Sequence, residues 1–138
     1  MASTLRLEIV TPESRAYSDD VEFVVLPAIE GEMGVFPQHV PLITAIKPGE
    51  LVVTKDGKQI HLAVGEGFVE VTAEKVSVLV DMALTEEAID EKAAEEAIKR
   101  AEARLKEEQI GGEEAALVQA AIAKSLAQLH VKRRRRGM

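Results

Sequence analysis

The residues able to perform acid–base, nucleophilic or metal chemistry are few in this chain and do not form a known catalytic pattern. Its 138 residues include no cysteine, which excludes thiolate chemistry and cysteine-built zinc sites. The histidines, His39, His61 and His130, are scattered without metal-ligand spacing. No Gly-x-Ser-x-Gly string or phosphate-binding loop occurs, and the acid pairs Asp19-Asp20 and Glu86-Glu87 are expected to be solvated. We therefore predict a protein that is not an enzyme and has no metal or cofactor of its own.

Charge is the more informative feature, because it is divided between two neighbouring stretches. Residues 85–114 hold 11 acidic and 5 basic side chains, whereas residues 115–138 hold 6 basic and no acidic ones. The basic residues of the second stretch are Lys124, Lys132, Arg133, Arg134, Arg135 and Arg136. The arginine run has three open interpretations: a solvated tail, an arm for nucleic acid, or a surface that docks on an acidic protein. The net charge of −7 and the scarcity of aromatic residues argue against nucleic acid.

Two helices are predicted to carry these charges, over about residues 86–109 and 113–132, with Gly111 and Gly112 as the hinge between them. Thr85 is the expected N-cap of the first helix. The predicted apolar faces are Ile89, Ala93, Ala97, Ala101 and Leu105 on the first helix and Val118, Ile122, Leu126 and Leu129 on the second. Because alanine contacts bury little area and exposed charge pairs contribute roughly tenths of a kcal/mol, we expect the hairpin to close weakly.

The first 84 residues instead predict short strands, and hence an antiparallel β-sandwich or flattened barrel in an α+β chain with segregated parts. Leu5–Ile9 alternates with period two, and a second strand over Val21–Leu26 is expected to stop at Pro27. Two hairpins are predicted over residues 51–64 and 68–80, the first turning at Asp-Gly. Residues 30–42 are expected to form a structured loop rather than a strand.

The N-terminal segment, residues 1–6, lacks the features of a secretion signal, and no apolar run is long enough to span a bilayer. We therefore expect the chain to remain in the compartment where it is made. Any association with a membrane is expected to come through a protein partner, without direct insertion.

Several strings, in matching order, resemble the epsilon subunit of the F-type ATP synthase. They are Val10-Thr11-Pro12, Gly31–Leu42, Leu42–Gly49 and Gly65–Val71. With the helical hairpin that follows them, the resemblance extends over almost the whole chain. It implies a ten-stranded N-terminal sandwich, residues 1–84, and a C-terminal two-helix hairpin, residues 85–138. The sequence departs from the family at Gln38 and Glu66, where glycine is usual, and glycine permits backbone angles that other residues rarely adopt.

The resemblance also implies a role. The sandwich would dock on the gamma subunit and on the membrane ring of c subunits, as part of the rotating central stalk that couples ion flow to ATP synthesis. The implied ring contact consists of Glu30, Gly31, Glu32, Met33, Gly34 and His39. The implied location is the cytoplasmic face of a bacterial plasma membrane. A stand-alone sandwich module whose hairpin binds another protein is the alternative that the residues leave open.

The hairpin, by the same resemblance, would lie folded beside the sandwich or extend into the catalytic head and inhibit ATP hydrolysis. In the extended state Lys124, Lys132 and Arg133–Arg136 would face an acidic loop of the beta subunit, near the alpha subunits. Some family members bind ATP on the folded hairpin through Ile or Leu, Asp, two variable residues, Arg and Ala. The matching positions here are Ile89, Asp90, Ala93 and Ala94, and Ala93 replaces the arginine, so we expect weak or absent ATP binding.

Overall fold

A computed structural model describes residues 4–107 and 111–136 of the chain, apart from the side chains of Glu107, Arg135 and Arg136. Ten strands precede two helices in this part of the chain. The strands are β1 (Leu5–Val10), β2 (Arg15–Val21), β3 (Phe23–Ala28), β4 (Gly31–Val35), β5 (Leu42–Ile46), β6 (Gly49–Lys55), β7 (Lys58–Val64), β8 (Gly67–Val71), β9 (Lys75–Val80) and β10 (Ala83–Thr85). A 3₁₀ turn (Glu86–Ala88) leads to the helices α1 (Glu91–Glu107) and α2 (Gly112–Arg136).

The strands form one continuous sheet in the order β10-β7-β6-β3-β5-β8-β9-β1-β2, with β4 paired to β3. All of the neighbouring strands are antiparallel except β1 and β9, which are parallel. The sheet folds over a single apolar core, and Lys55 of β6 forms an ion pair with Asp19 of β2 across the two layers. The Lys55 ammonium, by its hydrogen bond, lowers the pKa of the Asp19 carboxyl. The predicted ten-stranded sandwich followed by a helical hairpin is confirmed.

The core is built from alternate residues of the strands, as the period of two requires. In β1, Leu5, Leu7 and Ile9 point inward and are almost completely buried, while the residues between them are only partly buried. Valines and leucines from the other strands complete the cluster. In β7 the alternation places Leu62 and Val64 in this core and Ala63 on the outer face.

Both predicted hairpins are present with the expected turns. Strands β6 and β7 pair from Gly49↔Val64 to Lys55↔Lys58, and Asp56 and Gly57 adopt φ values of 52° and 75° between them. These two left-handed residues are what a tight hairpin turn requires, and Asp-Gly supplies them at low cost. The second hairpin, β8–β9, shows why position 67 is glycine: a Cβ there would lie 1.8 Å from the Leu79 carbonyl oxygen.

Three strand predictions need correction. Residues 31–35 form strand β4, paired with β3, so the predicted loop of residues 30–42 is a loop only in its second part. The second predicted strand is divided: β2 ends at Val21, and β3 continues through Pro27 to Ala28. Proline is tolerated there because the ladder between β3 and β6 ends at Val25, so its missing N–H interrupts no pair with β6.

The helix bounds differ from the predicted ones. Helix α1 begins at Glu91 rather than near residue 86, and its N-terminal cap is Asp90, whose carboxylate accepts the Ala93 N–H at 3.0 Å. Thr85, the predicted cap, precedes the 3₁₀ turn and makes no side-chain capping bond. Helix α2 continues to Arg136, beyond the predicted end at residue 132.

The apolar faces of the helices also differ from the prediction. Ala93 is exposed and Ala94 is buried in its place, whereas Ala97, Ala101 and Leu105 are partly buried on the predicted face. On α2, Val118 and Leu129 are buried as predicted, but Leu126 is 52% exposed. The reason is that α2 packs on two neighbours, α1 on one side and strands β6 and β7 on the other. A single stripe therefore cannot describe its buried surface.

Candidate functional site: the hairpin interface and the exposed sheet faces

The hairpin docks on the outer face of β6 and β7 through a small apolar group that is separate from the main core. This docking cluster consists of Ala63 on β7, Ile89 after the 3₁₀ turn, and Ala127 and Val131 on α2. Met82 and Leu84 pack against its rim. Two of its four buried members are alanines, so the apolar area that holds α2 on the sheet is small. Weak closure of the two helices on each other stays a prediction.

Polar contacts surround the docking cluster. Lys124 forms an ion pair with Asp81 at 3.3 Å, and the Lys132 ammonium donates to the Glu86 carbonyl oxygen at 3.1 Å. The Gln128 amide lies 3.1 Å from the Met82 sulfur. These contacts join α2 to the end of the sandwich on the side where the chain leaves the sheet.

Arg133 joins the two helices to each other. Its guanidinium donates to Glu91 at 2.8 Å and also contacts Glu95, both on α1. These two carboxylates raise the pKa of Arg133, Glu91 contributing first. All three side chains are partly exposed, so the pairing is screened by solvent and salt.

Glu50 on β6 is the most buried charged group at this interface, with a side chain only 9% exposed. Its carboxylate is 2.6 Å from the Arg134 guanidinium of α2 and 2.9 Å from Nδ1 of His61 on β7. Nε2 of His130 lies 3.7 Å from the same carboxylate and 3.2 Å from an Arg134 nitrogen. We refer to Glu50, His61, His130 and Arg134 as the Glu50 cluster.

The Glu50 cluster was not predicted. His61 and His130 were described as scattered, and they are far apart in the sequence, yet the docking of α2 brings them to one carboxylate. No sequence spacing could reveal this, because it depends on where α2 contacts the sheet. Among the residues that the structure describes, no group of three or more His, Asp or Glu side chains is arranged to hold a metal ion.

The structure places the predicted beta-contact residues against the chain itself. Lys124, Lys132, Arg133 and Arg134 all contact the sandwich, the 3₁₀ turn or α1. The side chains of Arg135 and Arg136 lie outside the described residues, although the helix backbone includes both.

The predicted hinge lies at the start of α2. Gly112 is the first residue of the helix and has a φ of 57°, a left-handed value that glycine adopts readily. Arg104 of α1 forms an ion pair with Glu114 of α2 across the connection. Residues 108–110, which the predicted first helix included in part, lie outside the described residues.

The residues at the nucleotide-motif positions have structural roles here. Ile89 is 4% exposed within the docking cluster, Ala94 is buried, and Asp90 caps α1. Ala93, at the arginine position of the motif, is exposed and offers no cation.

The predicted ring-contact residues lie along β4 and the loop that follows it. Glu30, Glu32 and Gly34 are exposed, whereas Gly31, Met33 and His39 are partly buried, and Met33 packs against the main core. Glu30 and Gly31 lie at the turn of the β3–β4 hairpin, whereas His39 lies beyond the other end of β4. The structure does not show what these residues contact outside the chain.

Aromatic packing and one unusual backbone angle define the loop after β4. Phe36 stacks on Phe23 with ring centroids 4.2 Å apart, and a Cβ on Gly34 would lie 2.9 Å from the Phe23 ring. Gln38 has a φ of 65°, and its N–H donates to the Ala73 carbonyl oxygen at 2.8 Å. A glycine at this position would adopt that angle without strain, whereas Glu66 is not among the described residues with positive φ.

A second outer face of the sheet carries exposed apolar side chains that the sequence analysis did not identify. Ile43 on β5, Phe68 on β8 and Leu79 on β9 are 68%, 62% and 52% exposed. Phe68 is the direct cross-strand partner of Leu79, and Ile43 lies two pairs away along the β5–β8 ladder, which places it on the same face. These three residues, the β5–β8–β9 face, form an uncovered apolar patch. Within the described part of the chain, neither helix has the length and apolar character needed to cross a bilayer.

Comparisons with known proteins agree with this architecture. The family model described as ATP synthase, Delta/Epsilon chain, beta-sandwich domain, matches residues 4–86. The ATP synthase epsilon chain of Desulforamulus reducens is 47% identical over 105 residues, covering 76% of this chain and 80% of that protein. The epsilon chain of Dehalococcoides mccartyi strain CBDB1 is 42% identical over 132 residues, covering 96% of this chain and 94% of that protein.

The fold is also found in a solved structure. A chain of the Euglena gracilis mitochondrial ATP synthase, in a structure of its OSCP, F1 and c-ring, aligns with a TM-score of 0.73 at 23% identity. The alignment covers 92% of this chain and 79% of the Euglena chain. The family match spans the sandwich, and the Dehalococcoides relative extends through the hairpin. This chain therefore belongs to the ATP synthase epsilon chain family, whose members are non-catalytic subunits of that complex.

Proposed function

We propose that the chain is a central-stalk, or rotor, subunit of an F-type ATP synthase, coupling ion flow through the c-ring to ATP synthesis, and that its hairpin inhibits ATP hydrolysis in an extended state. In this division residues 1–84 dock on the rotor and residues 85–138 regulate. The observation that carries the proposal is the docking cluster: Ala63, Ile89, Ala127 and Val131 are separate from the core that folds the sandwich. The hairpin can leave without exposing the main core.

The sandwich offers two surfaces for the rotor. The β5–β8–β9 face exposes Ile43, Phe68 and Leu79 together, and a contiguous apolar patch of this kind marks a protein interface. We assign it to the gamma subunit. We assign the c-ring contact to Glu30, Gly31, Glu32, Met33, Gly34 and His39, beside the exposed side chains of Phe36 and Val40.

The cations of α2 have two alternative sets of partners in this proposal. In the folded state Lys124, Arg133 and Arg134 contact Asp81, Glu91 and Glu50 of the same chain. In the extended state the same cations, with Lys132, Arg135 and Arg136, would face an acidic loop of the beta subunit, beside the alpha subunits. Because one guanidinium cannot occupy both sites, folding and inhibition exclude each other.

The relatives are bacterial, and this supports a peripheral location on the cytoplasmic face of a bacterial plasma membrane, reached through the complex. The missing arginine at Ala93 and the structural use of Ile89 and Asp90 support weak or absent binding of ATP.

A crosslink across the hairpin interface tests the proposal. The chain contains no cysteine, so the pair Met82→Cys and Gln128→Cys is unique, and the native side chains are in contact at 3.1 Å. The variant is assembled with the rest of the complex, and ATP hydrolysis is measured in the oxidised and reduced forms. A second complex carries the chain truncated after Thr85, which retains all ten strands.

The expected result is low hydrolysis in the reduced complex and equally high hydrolysis in the oxidised and truncated complexes. The reduced form of the same sample is the matched control, because it carries both substitutions. Hydrolysis that is the same in all three complexes would overturn the inhibitory role. Failure of the truncated chain to assemble would overturn the assignment of docking to the sandwich.

A further inference from the structure

We propose that the Glu50 cluster makes docking of the hairpin sensitive to pH, with acidification between about pH 8 and pH 5.5 releasing α2 from the sandwich. The inference rests on the proposed movement of the hairpin but concerns docking alone, which is measurable in the isolated chain. Of the four groups in the Glu50 cluster, only Arg134 also belongs to a proposed partner surface, and none belongs to the fold core. Histidine is the side-chain type that changes charge in this pH range, whereas glutamate and arginine normally do not.

His61 and Glu50 lie on the sandwich side of the interface. They occupy neighbouring strands on the outer face of the sheet, 2.9 Å apart, so both would stay with the sandwich when α2 leaves. When His61 is neutral, Glu50 presents a nearly buried negative charge to Arg134. When His61 is protonated, it neutralises Glu50 and lies on the same carboxylate as the Arg134 guanidinium. Docking then loses its main charge attraction at this point.

His130 and Arg134 lie one turn apart on α2. An Arg134 nitrogen is 3.2 Å from Nε2 of His130, so the arginine donates to an unprotonated ring nitrogen. Protonation removes this acceptor and places two cations next to each other. A charged His130 would also be attracted to Glu50, but that carboxylate is 3.7 Å away and already paired with Arg134 at 2.6 Å. In the released helix the two cationic side chains can separate, so protonation favours release.

Other charged groups lie around the cluster. Glu86 and Glu87 of the 3₁₀ turn line the same cleft as His61 and Arg134. On the α1 side, Glu91 and Glu95 are occupied by Arg133. Lys132 contacts the Glu86 backbone. The proposed response is assigned to His61 and His130, because histidine is the side-chain type that changes charge between about pH 8 and 5.5. The third histidine, His39, lies in the loop after β4 and contacts the adjacent Val40 carbonyl.

The experiment measures docking by energy transfer between dyes on introduced cysteines at Glu74 and Gln119. Both positions are exposed, the first in the β8–β9 turn and the second on α2. The full isolated chain is compared at about pH 8 and about pH 5.5. The docked-to-released ratio is expected to fall by up to roughly fivefold on acidification, the size expected for losing one partly exposed charge contact. Equal energy transfer at the two pH values would overturn the proposal.

Three variants identify the groups responsible. His61→Gln keeps a hydrogen-bond donor without a titrating charge and is expected to remove most of the pH response, with docking at pH 8 retained. His130→Gln is expected to remove a smaller part. Glu50→Gln is expected to lower docking at pH 8 and to remove the part of the pH response that comes from His61. His39→Gln is the matched control and should leave the pH response of docking intact. A response that survives in the double variant His61→Gln with His130→Gln would contradict the assignment.

Far-ultraviolet circular dichroism of each variant verifies that the sandwich is folded. Because docking is measured without the other subunits, failure of this inference is distinguishable from failure of the inhibitory role. If docking responds to pH but the crosslink leaves hydrolysis unchanged, the pH sensitivity of docking is supported and the inhibitory role is overturned.

Discussion

The sandwich core and the hairpin interface are built differently. The core joins leucine, isoleucine and valine side chains from nine of the ten strands, nearly all of them completely buried. The docking cluster joins one isoleucine, one valine and two alanines, surrounded by partly exposed ion pairs. Burying a large aliphatic side chain contributes about 1.5–3 kcal/mol, whereas an exposed ion pair contributes about 0–1 kcal/mol. We therefore expect the docking of the hairpin to be less stable than the fold of the sandwich.

The largest expected effect comes from the core. Leu7 is completely buried in β1, and Leu7→Ala should lower the free energy of unfolding by about 2–5 kcal/mol, because it removes apolar contacts and leaves a cavity. Urea denaturation followed by circular dichroism measures this. The exposed Leu117→Ala is the matched control and should change stability little, because its side chain is 71% exposed. A loss below about 1 kcal/mol in the Leu7 variant would mean that the core is not where the stability lies.

The next effect sharpens the comparison by acting on the docking cluster alone. Val131 is 1% exposed between α2 and the sheet, and Val131→Ala removes two methyl groups from the interface. We expect docking of α2 to weaken by about 1–2 kcal/mol, while the sandwich unfolds at an unchanged urea concentration. Energy transfer between the Glu74 and Gln119 positions reports docking. An equal loss in both measurements would show that hairpin and sandwich unfold as one unit.

A smaller effect is expected from the charges between the helices. Arg133→Gln removes the pairing with Glu91 and Glu95 and should weaken packing of α2 on α1 by about 0.5–1 kcal/mol at low salt. The difference from the unmodified chain should shrink at high salt, because exposed charges are screened. Arg100→Gln, on the exposed side of α1, is the control. Independence from salt would indicate that Arg133 acts through its apolar stem.

The smallest effect concerns the loop after β4. Gln38 has a left-handed backbone, and Gln38→Gly should stabilise the sandwich by up to about 1 kcal/mol. The substitution relieves backbone strain, and this gain is expected to exceed the entropy that glycine loses on folding. Thermal unfolding of the isolated chain measures it. A destabilised variant would mean that the contacts of the Gln38 side chain stabilise the sandwich by more than the backbone strain destabilises it.

How far the sequence predicts this structure varies between elements for physical reasons. The β6–β7 hairpin was predicted because Asp56-Gly57 encodes its turn locally. Strand β2 was missed because it lies at the sheet edge, where its side chains are mostly partly exposed and the alternation is weak. Strand β4 was missed because its two glycines suggested a loop, although Gly34 is needed to let the Phe23 ring approach.

The strength of the interface stays a prediction, and its composition was not predicted in full. The alanines of α2 predict weak packing, and one of them, Ala127, lies in the docking cluster. The buried face of α2 was predicted less well, because a helix packed on two neighbours does not bury a single apolar stripe. Leu126, which belongs to the predicted stripe, is exposed. The Glu50 cluster could not be predicted at all, since His61, His130 and Glu50 meet only through the docking geometry.

Native-state hydrogen exchange of the isolated chain, resolved by segment, tests most directly whether the hairpin is less stable than the sandwich. We expect amides of α2 to exchange through a local opening with a free energy several kcal/mol below that of the core strands β1, β8 and β9. This opening energy should fall further in Val131→Ala, while the core strands remain protected. Equal opening free energies for α2 and the core strands, lowered together by that substitution, would contradict it.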